Sequence, residues 1–178
     1  MRETIQNYFE KTKQYPNYYT NVDFSAVCED IKKEIDDGVF LVKRKDKTDL
    51  SVFEEKYGYT LPAEINDYIN LFWHPCIRGY CNTKESIVLF SVLKMEGDSS
   101  DDILFYKNNL ISMAEDWEEM GDIKKFIPIG WLDYSGGYVL YEVSSHNIFL
   151  ENMDVDGEVD DKPIAKSLKE LINNMAVF

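Results

Sequence analysis

Apolar positions along the first half of the chain recur at helical spacing with polar residues between them. Ile5, Tyr8 and Phe9 share one face of a first helix. Phe24, Val27, Cys28, Ile31 and Ile35 repeat that pattern over almost four turns, so a second helix is expected, with Asn21 or Asp23 as its cap and Gly38 at its end. The apolar run Val39-Phe40-Leu41-Val42 is short, and the charged residues 43–47 after it read as an exposed connection. Thr48 or Asp49 opens a further helix with Leu50, Phe53 and Tyr57 on its apolar side, and Gly58 closes it. In Leu61-Pro62-Ala63-Glu64 a proline stands at a first helical turn; Ile65, Tyr68, Ile69 and Phe72 carry that helix on until Pro75 stops it.

The second half changes period. Ser86-Ile87-Val88-Leu89-Phe90-Ser91-Val92 is strand-like, and a helix is expected over about 101–119 with Ile103, Leu104, Tyr106, Leu110, Ile111 and Met113 on it. Three short strands follow, at 126–129, 138–143 and 147–150, joined by the turns Ser135-Gly136-Gly137 and Ser144-Ser145-His146. Pro128 places the first of them at a strand end or a sheet edge. A final helix from about Pro163 carries Ile164, Ala165, Leu168, Leu171 and Ile172. Strands that succeed one another through tight turns form an antiparallel sheet, so the fold class expected is α+β, a mainly antiparallel sheet with helices packed around it. No repeat and no low-complexity linker divides the 178 residues, which predicts one domain over 1–178.

Composition adds a strong constraint. There are 33 Asp+Glu against 19 Lys+Arg, a net charge of -14, and this field repels phosphate backbones and anionic lipid heads. Neither nucleic acid nor a membrane surface is an expected partner; a basic protein is. The start, Met1-Arg2-Glu3-Thr4-Ile5-Gln6-Asn7, has no apolar stretch like that of a signal peptide, and no apolar run is long enough to span a bilayer. Cys28, Cys76 and Cys81 form no CxxC pair and read as reduced. A cytoplasmic location is expected.

The charge is unevenly spread: residues 99–161 hold 15 acidic residues and 3 basic ones. Such a run is either a solvated face or a partner-binding surface. The candidates for partner binding are Asp101, Asp102, Glu115, Asp116, Trp117, Glu118, Glu119 and Asp122, with Asp133 and Tyr134 at the glycine turn as second choice. They rest on charge, and on Trp117 as an aromatic among carboxylates, a mixture suited to docking.

The stretch Phe53-Glu54-Glu55-Lys56-Tyr57-Gly58-Tyr59-Thr60-Leu61-Pro62-Ala63-Glu64-Ile65-Asn66-Asp67-Tyr68 carries an aromatic-Glu pair, a Gly, then Leu-Pro and a helix bearing an aromatic. Phe126-Ile127-Pro128-Ile129-Gly130, the turn 135–137, Tyr138-Val139-Leu140-Tyr141 and Ile164-Ala165-Lys166-Ser167-Leu168 follow in order. Over about 48–176 this series resembles the SUKH superfamily, the Smi/Knr-type bacterial immunity proteins, with 1–47 as a helical extension outside the resemblance. One departure is Phe72-Trp73-His74-Pro75, where the family often has glycines. The resemblance implies a non-enzymatic sheet-and-helix fold that neutralises a cognate polymorphic toxin by binding it. A regulatory adaptor contacting a cell-envelope or secretion component is the alternative within the same fold.

Candidate chemistry is sparse. The loop from Asn152 to Asp160 matches a calcium loop at its oxygen positions and its glycine, but Pro163 stands where the bidentate Glu belongs, so it reads as a turn rich in carboxylates. His74, Cys76 and Cys81 are three potential ligands where a structural zinc needs four. No phosphate loop, nucleophile elbow, dinucleotide fingerprint or HExxH occurs. No metal, cofactor or catalytic residue is expected, and a metal-dependent hydrolase built on the acidic loop is the least favoured reading.

Overall fold

Local rules account for most of the helices in the computed structural model, which describes residues 1–15, 24–35, 40–94, 110–155 and 157–177. Helix α1 (Arg2–Thr12) buries Ile5, Tyr8 and Phe9, the face that the spacing predicts. The expected second helix is instead two pieces, a 3-10 turn at Phe24–Ala26 and α2 at Glu29–Lys32. The break falls at Cys28, whose backbone is extended (ψ 131°) and whose N–H donates to the Lys94 carbonyl at 3.0 Å. A tie to a distant segment replaces the helical bond at that point. Its expected cap and stop residues, Asn21, Asp23 and Gly38, lie outside the described residues.

Helix α3 (Ser51–Tyr57) ends as its sequence predicts but starts later, with Leu50 rather than Thr48 or Asp49 in the cap position. The Asp49 carboxylate accepts from the Ser51 N–H at 2.9 Å, which holds its carboxyl below the usual range, and Gly58 closes the helix in the left-handed region at φ 74°. Glu54 then accepts from the Leu61 N–H at 2.8 Å, fixing the corner into α4 (Ala63–Asn70). Pro62 is the cap of α4, one place earlier than expected. The helix also ends early: Phe72–Trp73 is strand β2, antiparallel to β1 (Val42–Lys43), with Val42 opposite Trp73. Phe72, Trp73 and His74 are buried in succession, which an extended segment covered on both sides permits and one helix face does not.

Strands β3 (Ile77–Gly79), β4 (Ile87–Leu89), β5 (Phe126–Leu132), β6 (Tyr138–Glu142) and β7 (Ile148–Leu150) form one antiparallel sheet in that order. The two hairpins expected from the glycine and serine turns join β5 to β6 and β6 to β7. Pro128 lies in a strand with neighbours on both sides, but the β4 register covers only Gly130, Trp131 and Leu132, so the proline occupies the reach of β5 beyond it. Both sheet edges are covered by later chain. Tyr80 at the end of β3 exchanges backbone bonds with Ala176, and Ile148 in β7 does so with Ile164 and Ala165. Residues 163–167 are therefore not the start of the last helix. That helix, α6 (Leu168–Asn174), starts at a capping box: the Ser167 hydroxyl accepts from the Glu170 N–H at 3.0 Å, and the Glu170 carboxylate accepts from the Lys166 N–H at 2.7 Å.

The result is one α+β domain. Helix α1 belongs to its core: the Tyr8 hydroxyl donates to the Arg78 carbonyl at 2.6 Å and accepts from the Arg78 N–H at 2.7 Å, tying the helix to β3. Helix α5 (Leu110–Glu118) packs on β5; the portion of its expected span at 101–109 lies outside the described residues. Among the described residues no helix is long and apolar enough to cross a membrane.

His74 is fully buried between the rings of Phe9 and Tyr68, with Nδ1 2.8 Å from the Pro75 carbonyl. A carbonyl only accepts, so a proton is assigned to Nδ1, and complete burial disfavours a second proton on the ring. Burial lowers its pKa from 6.5 to about 4. Between those values the unfolded chain binds a proton that the native ring refuses, so stability falls as pH falls, by as much as about 3 kcal/mol. Chemical denaturation from pH 7 to pH 4 is expected to show this slope, and His74→Phe to flatten it by that amount.

Candidate functional site

Helix α5 divides its residues by period. Leu110, Ile111, Met113, Ala114 and Trp117 face the sheet, while Glu115, Asp116 and Glu118 face outward, followed by exposed Glu119 and Asp122. Trp117 is thus corrected from a docking residue to a core residue: it is 0% exposed, and its ring stands edge-on to Tyr138 at 5.9 Å. A Cβ on Gly121 would overlap its indole, so the chain needs that glycine to turn beneath the ring.

The outward carboxylates differ in their ties. Glu115 pairs with Lys56 at 2.7 Å, and Asp116 accepts from the Tyr138 hydroxyl at 3.3 Å. Burial first, and the Asp116 charge second, push the Tyr138 hydroxyl up to about 12. Asp122 accepts from the Lys124 N–H at 3.0 Å. Glu118 and Glu119 take part in no ion pair among the described residues. Asp101 and Asp102 lie outside the described residues.

The second-choice pair sits on a braced turn between β5 and β6. Asp133 accepts from the Arg78 guanidinium at 2.9 Å and from the Ser86 hydroxyl at 3.1 Å. The Glu85 carboxylate accepts from the N–H groups of Tyr134 and Ser135, at 2.7 and 2.8 Å, and these bonds hold its carboxyl below the usual range. The turn is tied at its backbone while the Tyr134 side chain is 94% exposed.

What charge counting missed is that folding joins two acidic stretches. Gly157, at φ 75°, packs so closely on the Met120 carbonyl that a Cβ there would overlap it. That contact sets the loop after β7 beside the end of α5. A cleft of about 460 Å³ opens beside that contact, with Asp122, Glu142, Glu158, Asp160 and Asp161 on its walls, Phe126 and Phe149 beside them, and Lys125 as the one lysine among the described residues that line it. The signal available in the sequence was the lone glycine in a carboxylate run, which marked a turn but not what the turn would touch.

Asp156 of the same loop lies outside the described residues. At the start of the loop, Glu151 accepts from the Tyr138 N–H at 2.9 Å, and the Asn152 side chain accepts from the Asp154 N–H at 3.1 Å. Burial raises the Cys76 thiol above its usual range. Among the described residues no three His, Cys, Asp or Glu side chains are grouped to hold a metal. No protein-family model matches the chain, and no curated protein matches it.

Proposed function

We propose that this chain is a cytoplasmic immunity protein, which acts without catalysis by binding a cognate basic toxin through its acidic face. The observation that carries the reading is the junction of α5 with the loop after β7. There, carboxylates far apart in sequence line one cleft with a single lysine among its described residues. The resemblance to SUKH immunity proteins supports it, and so does the α+β architecture that this resemblance implies. A toxin that cuts nucleic acid carries a basic groove to hold phosphates, and a surface of fixed carboxylates competes for that groove and steers rapid encounter.

The test is a rescue assay. The C-terminal domain encoded by the neighbouring upstream reading frame is expressed in a sensitive bacterium with and without this chain, and survivors are counted. Survival that depends on the chain is the expected result. Toxicity without protection would refute immunity for that pair and favour the adaptor reading.

A further inference from the structure

The acidic face is not uniformly polar. Met120, Met153 and Val155 are 43%, 54% and 46% exposed, which sets them apart from the buried apolar residues of the domain. Met120 follows the end of α5, and the loop after β7 carries the other two. The loop is bracketed at both ends: Gly157 packs on the Met120 carbonyl, and the Met153 thioether lies against Gly137 in the turn that presents Tyr134. Backbone bonds from Val155 to Asn152 and from Glu158 to Val155, each 3.1 Å, hold it in shape. Apolar side chains held out on a braced loop, with carboxylates around them, have the composition of an interface centre and its rim.

Charge selects the occupant. A second copy would bring the same carboxylates against themselves, and an anionic lipid or nucleic acid would meet the same repulsion. We propose that Met120, Met153 and Val155 form an apolar seat for one large apolar side chain of a basic protein segment, whose flanking Lys or Arg residues reach Glu119, Glu158 and Asp160. The inference rests on the reading of the chain as a binder of a basic protein and names the contact by which it binds. Methionine suits such a seat because its unbranched thioether adapts to the shape it meets.

The probe is a phage-displayed library of random linear peptides selected on the full chain, with affinities then measured by fluorescence anisotropy. Selected peptides are expected to carry a large apolar residue flanked by Lys or Arg. They should bind a Met153→Ser, Val155→Ser double variant about tenfold more weakly, with circular dichroism showing that variant folded at the assay temperature. Met120→Ser, outside the loop, is expected to weaken them in the same direction. Failure to select any peptide, selection of peptides without basic residues, or unchanged affinity for both variants would overturn the proposal. The two readings separate cleanly. Rescue that survives the double variant sinks the seat and leaves immunity standing, whereas failed rescue with peptides that depend on the seat sinks immunity alone.

Discussion

Changing Glu118, Glu119, Asp160 and Asp161 together to Lys is expected to weaken binding of the basic partner about a hundredfold or more and to abolish protection, with the fold intact. These four are exposed and enter no ion pair among the described residues, so their reversal removes attraction without leaving a buried charge behind. A rim charge is worth about 0.2–1 kcal/mol, and reversal replaces attraction with repulsion, so four of them reach roughly 3 kcal/mol, a factor of about a hundred. The loss should fall mainly on the association rate and shrink as salt rises. Glu115 and Asp133 are poorer choices, because reversing them would break the ties to Lys56 and Arg78 and confuse folding with binding. Circular dichroism and thermal melting check the fold, and stopped-flow association checks the rate.

Trp117→Ala is expected to cost about 3–5 kcal/mol of unfolding free energy, the largest single-site loss in the acidic region. The indole is wholly buried between α5 and β6, and the turn at Gly121 is shaped around it. Its removal leaves a cavity under the helix that displays Glu118. Denaturant titration should show a lower midpoint for Trp117→Ala and a smaller decrease for Trp117→Phe, which refills part of the space. A docking tryptophan would behave in the opposite way, with partner affinity lost and the midpoint unchanged.

The helices and hairpins that were legible in the sequence are those fixed by near neighbours. Gly58 ends α3 and Asp49 bonds to the first N–H of that helix, contacts within a few residues, and the turn at Ser135-Gly136-Gly137 closes its hairpin in the same way. The misread elements are settled by distant partners. Cys28 leaves helical geometry to pair with Lys94, Phe72 and Trp73 leave α4 to pair with β1, and Ile164 and Ala165 cover the β7 edge instead of opening α6. None of these pairings has a local signature.

The acidic face was legible in part for the same reason. Counting charge located Glu118, Glu119 and Asp122, but bringing Asp160 and Asp161 into one cleft with Asp122 depends on the packing of Gly157 against Met120. Trp117 was misplaced for a different reason: its neighbours are carboxylates along the chain, yet it continues the stripe of Leu110, Met113 and Ala114. Helical period, not adjacency, decides which way a side chain faces.

Calorimetric titration of the purified chain with the toxin domain encoded beside it, repeated from about 50 to about 300 mM salt, tests the central claim most directly. The account predicts one-to-one binding at nanomolar Kd or tighter, with log K falling steadily as salt rises and the slope flattened by the four lysine substitutions. Absent binding, or tight binding indifferent both to salt and to those substitutions, would contradict it.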